Sequence, residues 1–481
     1  MNVTFLNPPN TDSDTYMARS SDRWPHRVRR GRFFRNKIFA KYPLYMAYAA
    51  AVTERAGHRT RIVDAARDDL SQAATVARIH QQKPDLLVIE VAEASLRTDL
   101  ACAEALKAAT GAVVAIYGPT ASTFDTDLAT QNTFLDVIIR GECFATLEPL
   151  LHRLHQPDQW DDVQGITMHR DGNLVRTEDM PLYDIEDLPR PARHLLDPAR
   201  YLLGHYTYTP QIHMVSSIGC PHQCIFCLWP QTMYGPKMRY RDPTDVALEM
   251  HEVKEAWGAR EIYFDDDTFN VTINRAMEVS QAIVDSGVQL AWMCEARCDQ
   301  VSEELLHMMK RAGCTKILYG VESGSQLVQD NSGKHLQLED VRRAFRLTHQ
   351  AGIRTHATSM FGLPGETDTT IRQTIEFLKE LKPDTIQASL AMPYPGTKFY
   401  DMAVESGWLK ASDLAEFDGE TGGTIEYPGL SKEAIRTCVN RAYREYYFRP
   451  AYIATQLRRM TSWADVKRIV NLASSGIRRF S

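Results

Sequence analysis

Two stretches of the chain alternate short apolar segments with amphipathic segments, and this alternation is what most restricts the fold. Predicted strands in the first stretch are Val3–Leu6, Thr60–Val63, Asp85–Val91, Val113–Tyr117 and Val137–Ile139. Predicted helices lie between them, and this order favours an open, doubly wound parallel sheet. Ligands of such sheets bind at the carboxyl ends of the strands, here near Asn7, Asp64, residues 91–95, Gly118 and Gly141.

The second stretch has longer β/α units. Its predicted strands are Ile212–Ser216, Glu261–Phe264, Gln289–Cys294, Lys316–Tyr319, Arg354–Met360 and Thr385–Leu390. Six such units predict a partial, TIM-like (β/α)6 barrel with its chemistry at the carboxyl-end loops. A hairpin is predicted over 165–176 with its turn at Asp171-Gly172, and the acidic, proline-containing segment 182–198 is a predicted linker.

The predicted fold class is therefore α/β, with a Rossmann-like first domain, a barrel and a helical carboxyl-terminal region. The expected boundaries are 1–155 for the first domain, 156–205 for the linker with its hairpin, 206–405 for the barrel and 406–481 for the helical region.

Three cysteines follow the first predicted barrel strand, at Cys220, Cys224 and Cys227. A cubane [4Fe–4S] cluster needs four ligands, so three thiolates leave one iron open to bind another molecule. The spacing differs from the paired cysteines of structural zinc sites and from the ferredoxin pattern. A zinc site completed by His222, or chance clustering, are the alternatives. A disulfide framework is not expected in a chain of 481 residues without a secretory leader.

Composition narrows the class of protein further. A hydrophobic share of 44% supports large cores, and a net charge of −6 argues against a general nucleic-acid binder. Reduced thiols favour the cytoplasm, and the apolar run 42–52 is too short to span a bilayer. The basic, aromatic segment 19–41 and the basic tail from Arg458 suggest contact with acidic headgroups at the inner membrane or with a phosphate-bearing ligand. The alternative is a solvated loop and a surface helix.

From about residue 211 to 400 the motifs resemble the radical S-adenosylmethionine (SAM) superfamily. The resemblance implies that Cys220, Cys224 and Cys227 hold the cluster and that its open iron binds the amino and carboxylate groups of SAM. Reductive cleavage of SAM would then give methionine and a 5′-deoxyadenosyl radical that removes a hydrogen from the substrate. It also implies a small-molecule or lipid-linked substrate and an electron donor of the flavodoxin or ferredoxin type.

Acidic and basic residues at later strand ends are candidates for SAM or substrate contact by the same resemblance. Asp265 and Asp267 follow the second strand, with helix capping by Asp267 or Thr268 as the alternative. Arg297 resembles a position that faces the barrel interior, and its alternative is a surface salt bridge. Glu322 matches the position that binds the ribose of SAM, with a helix cap or an ion pair as the alternative.

The turn 361–366 resembles the family's adenine-side turn. Its glycines, Gly362 and Gly365, would let the backbone approach the ligand, although an ordinary tight turn uses glycine in the same way.

A doubly wound domain ahead of such a barrel resembles the cobalamin-binding class. That class implies cobalamin at Gly118, Gly141 and Glu142. The D-x-H-x-x-G motif that supplies a histidine to cobalt is absent, since residues 64–68 contain no histidine. The alternative is a vestigial domain that only docks substrate or packs on the barrel.

Four further segments resemble the radical SAM protein of hopanoid biosynthesis. They are Cys227–Thr232, Ala391–Thr397, Glu405–Leu409 and Tyr443–Pro450. This resemblance implies a ring contraction of the sugar on a hopanoid. The alternatives are a cobalamin-dependent methyltransferase that acts on carbon or phosphorus, and a zinc-dependent binding protein.

Overall fold

A computed structural model describes residues 1–10, 15–19, 26–29, 40–202, 206–419 and 424–459. None of the helices within these residues is long and apolar enough to cross a membrane.

The first domain is built on a seven-stranded sheet in the order β4-β1-β5-β6-β7-β8-β9. The strands of this part of the chain are β1 (Asn2–Asn7), β2 (Thr15–Ala18), β3 (His26–Arg29), β4 (Arg59–Asp64), β5 (Leu86–Glu90), β6 (Val113–Tyr117), β7 (Val137–Ile139), β8 (Ile166–Arg170) and β9 (Asn173–Arg176). The helices are α1 (Leu44–Arg55), α2 (Gln72–His80), α3 (Leu96–Thr110), α4 (Pro119–Thr123), α5 (Asp125–Gln131) and α6 (Cys143–His152). The first five strands in this sheet order, β4-β1-β5-β6-β7, are all parallel, which confirms the predicted doubly wound sheet.

The predicted hairpin is present as β8 and β9, but it belongs to the first domain. Strand β8 pairs antiparallel with β7 and so extends the sheet by two strands. The predicted boundary at residue 155 therefore cuts this sheet, because hairpin periodicity does not reveal which edge a hairpin joins. Strands β2 and β3 form a separate small ribbon that the sequence did not predict.

The barrel is an open, all-parallel sheet in the order β10-β13-β14-β15-β16-β17, as predicted. Its strands are β10 (Gln211–Met214), β13 (Glu261–Phe264), β14 (Ala291–Ala296), β15 (Cys314–Glu322), β16 (Arg354–Phe361) and β17 (Thr385–Leu390), with a small ribbon of β11 (Ser217–Ile218) and β12 (Arg239–Tyr240). The helices are α7 (Leu228–Thr232), α8 (Pro243–Trp257), α9 (Ile273–Ser286), α10 (Glu303–Arg311), α11 (Gln326–Asn331), α12 (Leu338–Gln350), α13 (Asp368–Leu381), α14 (Lys398–Glu405), α15 (Lys432–Tyr447) and α16 (Pro450–Arg459). Helices α15 and α16 thus make the described end of the chain largely helical, as expected.

Alternation along the strands separates two faces of the barrel sheet. On β13, for example, Ile262 and Phe264 pack in the core beneath the helices, whereas Tyr263 lies on the opposite face with Met293 and Leu318. The second set lines the barrel interior.

One apolar core joins the first domain to the barrel. It contains Phe5 and Tyr48 of the first domain together with Phe226 and Trp229 beside the cysteine loop. The rings of Tyr45 and Trp229 lie 4.7 Å apart. This shared core places the carboxyl edge of the first sheet next to the cysteine loop.

The two cations that bound the predicted basic segment are buried in ion pairs. Arg19 Nη2 lies 2.8 Å from Asp99 Oδ1, and Lys41 Nζ lies 2.7 Å from Asp265 Oδ1. These two side chains are therefore not available to a headgroup, and membrane contact by the rest of the segment stays a prediction. Most of that segment (residues 20–25 and 30–39) and of the basic tail (460–481) lies outside the described residues.

Candidate active site

The cysteine loop begins at Gly219, just after the first barrel strand. Gly219 has a φ of +107°, and a Cβ atom there would lie 1.9 Å from the carbonyl oxygen of Lys237. Only glycine fits this position, because the backbone opposite has no room to move. The Gly219 amide donates to Asp267 Oδ2 at 2.9 Å, which fixes the start of the loop.

Gln231 on α7 holds the rest of the loop. Its amide nitrogen donates to the carbonyl oxygens of Cys224, Ile225 and Cys227 at 3.3, 3.1 and 2.7 Å. Its oxygen accepts from the Lys398 amide at 2.8 Å. Gln231 lies in the segment Cys227–Thr232, but no local pattern reveals that its amide reaches three carbonyl groups.

The three thiols suit an iron–sulfur cluster. Cys220, Cys224 and Cys227 form no disulfide; the first two are buried and the third is partly exposed. Burial raises the pKa of the Cys224 thiol, while the charges of Lys334 and Arg297 act in the opposite direction and favour the thiolate that binds iron. Among the described residues no three His, Cys, Asp or Glu side chains are close enough to share one metal ion. A cubane, whose ligands bind three different irons, does not require such an arrangement.

The carboxylates after β13 bind the start of the cysteine loop and a lysine of the first domain. Asp266, which is fully buried, accepts from the Ser216 amide at 2.7 Å and from the Ser217 hydroxyl at 2.8 Å. Asp265 binds Lys41, and Asp267 accepts from Gly219 and from the Tyr234 hydroxyl.

The predicted alternative role of Asp267 or Thr268 as a helix cap is wrong. Thr272 caps α9 by accepting from the Arg275 amide, because the loop after β13 continues further before the helix begins.

Glu322 ends β15 in an uncommon conformation. Its φ is +58°, and the pairing of β15 with β16 shifts register between Gly320 and Glu322. A non-glycine residue in this region costs about 1–3 kcal/mol and is retained where the surroundings hold it. Here the holding contact is a buried ion pair between Glu322 Oε1 and Lys334 Nζ at 2.6 Å.

Arg297 is buried at the end of β14. Its guanidinium binds both carboxylate oxygens of Asp299, at 2.9 and 2.8 Å, and donates to the Lys334 carbonyl oxygen at 3.0 Å. The salt bridge proposed as its alternative is therefore present as a bidentate ion pair between a buried arginine and a half-buried aspartate. Burial alone would lower the pKa of Arg297, but the ion pair with Asp299 raises it above its usual value, so the guanidinium stays charged.

The glycine turn after β16 is held by Glu366. Its carboxylate accepts from the Gly362 amide at 2.7 Å and from the Thr370 hydroxyl at 3.1 Å. Burial raises the pKa of Glu366 to about 7. A Cβ atom at Gly362 would lie 3.1 Å from Ile435, and one at Gly365 would lie 2.5 Å from the Asn331 amide nitrogen. Both glycines therefore allow close packing within the protein, and their contact with adenine stays a prediction.

A buried histidine on β10 contributes to the interior wall of the barrel. The His213 ring lies 5.2 Å from the Tyr263 ring, and neither ring nitrogen has a hydrogen-bond partner among the described residues. Burial lowers the pKa of His213 well below its usual range, so the imidazole is neutral. This residue was not predicted from the sequence, because one histidine in an apolar strand carries no local signal.

Most of the barrel is similar in sequence to a known superfamily. Residues 214–378 match the model of the radical SAM superfamily. The barrel is a radical SAM domain. The match begins on β10 and includes the cysteine loop, Arg297 and Glu322.

Relatives extend the similarity beyond the radical SAM domain. The chain is 25% identical to an uncharacterized methyltransferase of Pyrococcus horikoshii over 85% of this chain and 88% of that protein. It is 27% identical to the anaerobic magnesium-protoporphyrin IX monomethyl ester cyclase of a Synechocystis species, over 73% of this chain and 70% of that protein. The structure of the radical SAM methyltransferase TsrM from Kitasatospora setae, with cobalamin and a [4Fe–4S] cluster bound, matches with a TM-score of 0.71 at 17% identity. That match covers 94% of this chain and 89% of TsrM, so the two-domain fold is shared.

The residues predicted at the carboxyl edge of the first domain have structural contacts. Gly118 has a φ of +122°, and a Cβ atom there would lie 2.8 Å from the Val91 carbonyl oxygen. The Gly141 amide donates to the Ser122 hydroxyl at 3.0 Å. Glu142 accepts from Arg239 of the radical SAM domain at 2.8 Å, so it joins the two domains. Their contact with cobalamin stays a prediction.

Unpaired polar groups lie between that edge and the cysteine loop. The Thr123 hydroxyl on α4 and the Trp229 indole nitrogen on α7 are buried and have no hydrogen-bond partner among the described residues. Helices α4 and α7 are in contact, and α7 starts directly after Cys227. Because unsatisfied buried groups cost about 1–3 kcal/mol each, these two fit a ligand with many amide groups, as the corrin of cobalamin has.

Proposed function

We propose that this chain is a cobalamin-dependent radical SAM methyltransferase that acts on a small-molecule substrate. The observation that carries the proposal is the contact between α4 of the Rossmann-like domain and α7, the helix that begins at the cysteine loop. It brings the expected cobalamin edge beside the loop that carries the three cysteines. Similarity to a methyltransferase over 85% of the chain supports the same reaction class.

Each cofactor has a set of residues that would hold it. Cys220, Cys224 and Cys227 would bind the cluster, and Glu322 would bind the ribose hydroxyls of SAM. When bound, the cluster and SAM supply a carbon radical and cobalamin supplies a methyl group. The protein excludes water from this region, since Phe226 and Trp229 are buried in the core that joins the domains.

The interior wall of the barrel would orient the substrate. Neutral His213 offers both a donor and an acceptor, and the Tyr263 hydroxyl donates to Glu295 beside it. These groups would hold the reacting carbon at a fixed position, which is how binding energy lowers the barrier of the chemical step.

Ring formation is the second candidate, because similarity to a cyclase over 73% of the chain favours it. Ring contraction of a hopanoid sugar remains the prediction of the four sequence segments, and the relatives reported above are methyltransferases and a cyclase. Peripheral membrane contact and a flavodoxin- or ferredoxin-type electron donor likewise remain predictions.

Anaerobic reconstitution tests the proposal. The protein would be loaded with iron, sulfide and cobalamin, reduced, and supplied with SAM. We expect the absorption of both cofactors, 5′-deoxyadenosine from radical formation and S-adenosylhomocysteine from methylation of cobalamin. Cluster absorption and 5′-deoxyadenosine without S-adenosylhomocysteine would refute methyl transfer and favour rearrangement or ring formation.

A triple variant supplies the control. Replacing Cys220, Cys224 and Cys227 by alanine should abolish the cluster and 5′-deoxyadenosine together. Zinc in place of iron and sulfide in the wild-type protein would refute radical chemistry.

A further inference from the structure

Lys334 lies in a loop that packs directly on the cysteine loop. The Ile225 amide donates to the Ser332 carbonyl oxygen at 3.0 Å. A Cβ atom at Gly333 would lie 3.1 Å from the Gln223 carbonyl oxygen, so glycine allows this close approach. Lys334 follows these two contacts and is therefore fixed relative to the three cysteines.

The Lys334 ammonium lies against strand β15, at the place where a side chain at residue 320 would lie. Its Nζ donates to the Gly320 carbonyl oxygen and to Glu322 Oε1, each at 2.6 Å. A Cβ atom at residue 320 would lie 2.3 Å from that Nζ, so any other residue at 320 would displace the ammonium. The Lys334 and Glu322 side chains are only 9% and 8% exposed.

The charge of Lys334 lies between two parts of the site. On one side it binds Glu322, the expected ribose ligand, whose backbone has the strained φ of +58°. On the other side, its loop contacts Gln223 and Ile225, the two neighbours of Cys224, and its positive charge favours the Cys224 thiolate. The Arg297 guanidinium binds the Lys334 carbonyl oxygen. A buried cation beside a cluster ligand favours the reduced cluster, which carries one more negative charge than the oxidised cluster.

We propose that Lys334 is a positioning residue of the SAM and cluster site. It holds the Glu322 carboxylate in place for the ribose hydroxyls of SAM, and it supplies a positive charge that raises the reduction potential of the cluster. This inference rests on the proposed function, because it requires a cluster at the three cysteines.

A series of charge variants tests the inference. Lys334→Met, Glu322→Gln and the double variant would be reconstituted anaerobically, and the cluster midpoint potential would be measured at alkaline pH, where carboxylates stay ionised. Lys334→Met should lower the potential because it leaves a negative charge, and Glu322→Gln should raise it because it leaves a positive charge. The double variant should return close to the wild-type value, and it keeps no unpaired buried charge that would prevent folding.

SAM binding is the second readout. Titration of the reduced cluster with SAM, followed by electron paramagnetic resonance, should show about tenfold weaker binding for Lys334→Met, as is typical when a residue that orients a ligand group is removed. Lys379→Met is the control, because Lys379 pairs with Glu376 and Glu445 on helices outside this site, and both readouts should match the wild type.

The outcomes separate this inference from the proposed function. A wild-type protein that binds no cluster would refute the proposed function. A normal cluster whose potential shifts in the same direction in Lys334→Met and Glu322→Gln, or in neither, would overturn the role of Lys334. Unchanged SAM affinity in Lys334→Met would overturn its role in positioning Glu322.

Discussion

Replacing Lys41 by methionine should lower the free energy of unfolding by about 3–5 kcal/mol. Lys41 Nζ lies 2.7 Å from Asp265 Oδ1, and the two side chains are 5% and 1% exposed. Removing one partner of such a pair leaves the other charge buried without its counterion. Methionine has a similar length and is apolar, so little packing should be lost.

An exposed pair of the same length provides the matched control. Arg97 Nη2 also lies 2.7 Å from a carboxylate oxygen, that of Asp413, but these side chains are 85% and 46% exposed. Arg97→Met should therefore change stability by less than about 1 kcal/mol, because water screens the pair. Any larger effect at Lys41 then reflects burial and not the length of the contact.

Urea unfolding of the cofactor-free protein, followed by circular dichroism, measures both changes. Lys41→Met combined with Asp265→Asn should recover most of the stability, since the double variant leaves no unpaired charge. The reasoning would be refuted if Lys41→Met and Arg97→Met were equally stable, or if the double variant were no more stable than Lys41→Met.

Three further substitutions, two of them with a matched control, test the site. His213→Phe should raise the melting temperature of the free protein, because both ring nitrogens of His213 are buried and unpaired among the described residues. His356→Phe is the control and should lower the melting temperature, because it removes a hydrogen bond of 2.7 Å. A lower melting temperature in both variants would contradict this reasoning. Burial raises the pKa of Glu366 from 4.5 to about 7. The wild-type protein should therefore lose about 3 kcal/mol of stability as the pH rises from 4.5 through 7 and Glu366 ionises. Glu366→Gln cannot ionise, so over the same pH range it should gain stability relative to the wild type in unfolding experiments. An unchanged difference across that window would argue against the raised pKa. Gly219→Ala should abolish iron binding, because its Cβ would lie 1.9 Å from a backbone carbonyl oxygen. Gly258→Ala is the control and should retain iron, because Gly258 also has a positive φ but has open space around it. Normal iron content in both variants would refute the steric argument.

The predicted strands illustrate what local sequence can determine. Strands β6 and β17 were predicted with their observed bounds, because apolar periodicity and flanking turn residues are local signals. Strand β15 extends beyond its prediction to Glu322, where the register shift and the positive φ depend on neighbouring strands.

The site residues likewise include some that local sequence identifies and some that only tertiary contacts identify. The cysteine spacing and the glycine at residue 219 are local, and their position after β10 follows from the strand prediction. Lys334, Gln231 and His213 were missed, since each acts through contacts that the chain forms only when separate elements pack together.

By itself, the sequence determined the α/β class, the order of the two domains and the cysteine loop, because periodicity and spacing act over a few residues. Only the tertiary structure decided that Lys41 reaches Asp265, that Lys334 holds Glu322 and that the hairpin completes the first sheet. Those contacts depend on which buried charges and strand edges meet, because a charge or a strand edge is costly to bury unless a partner from a distant part of the chain pairs with it.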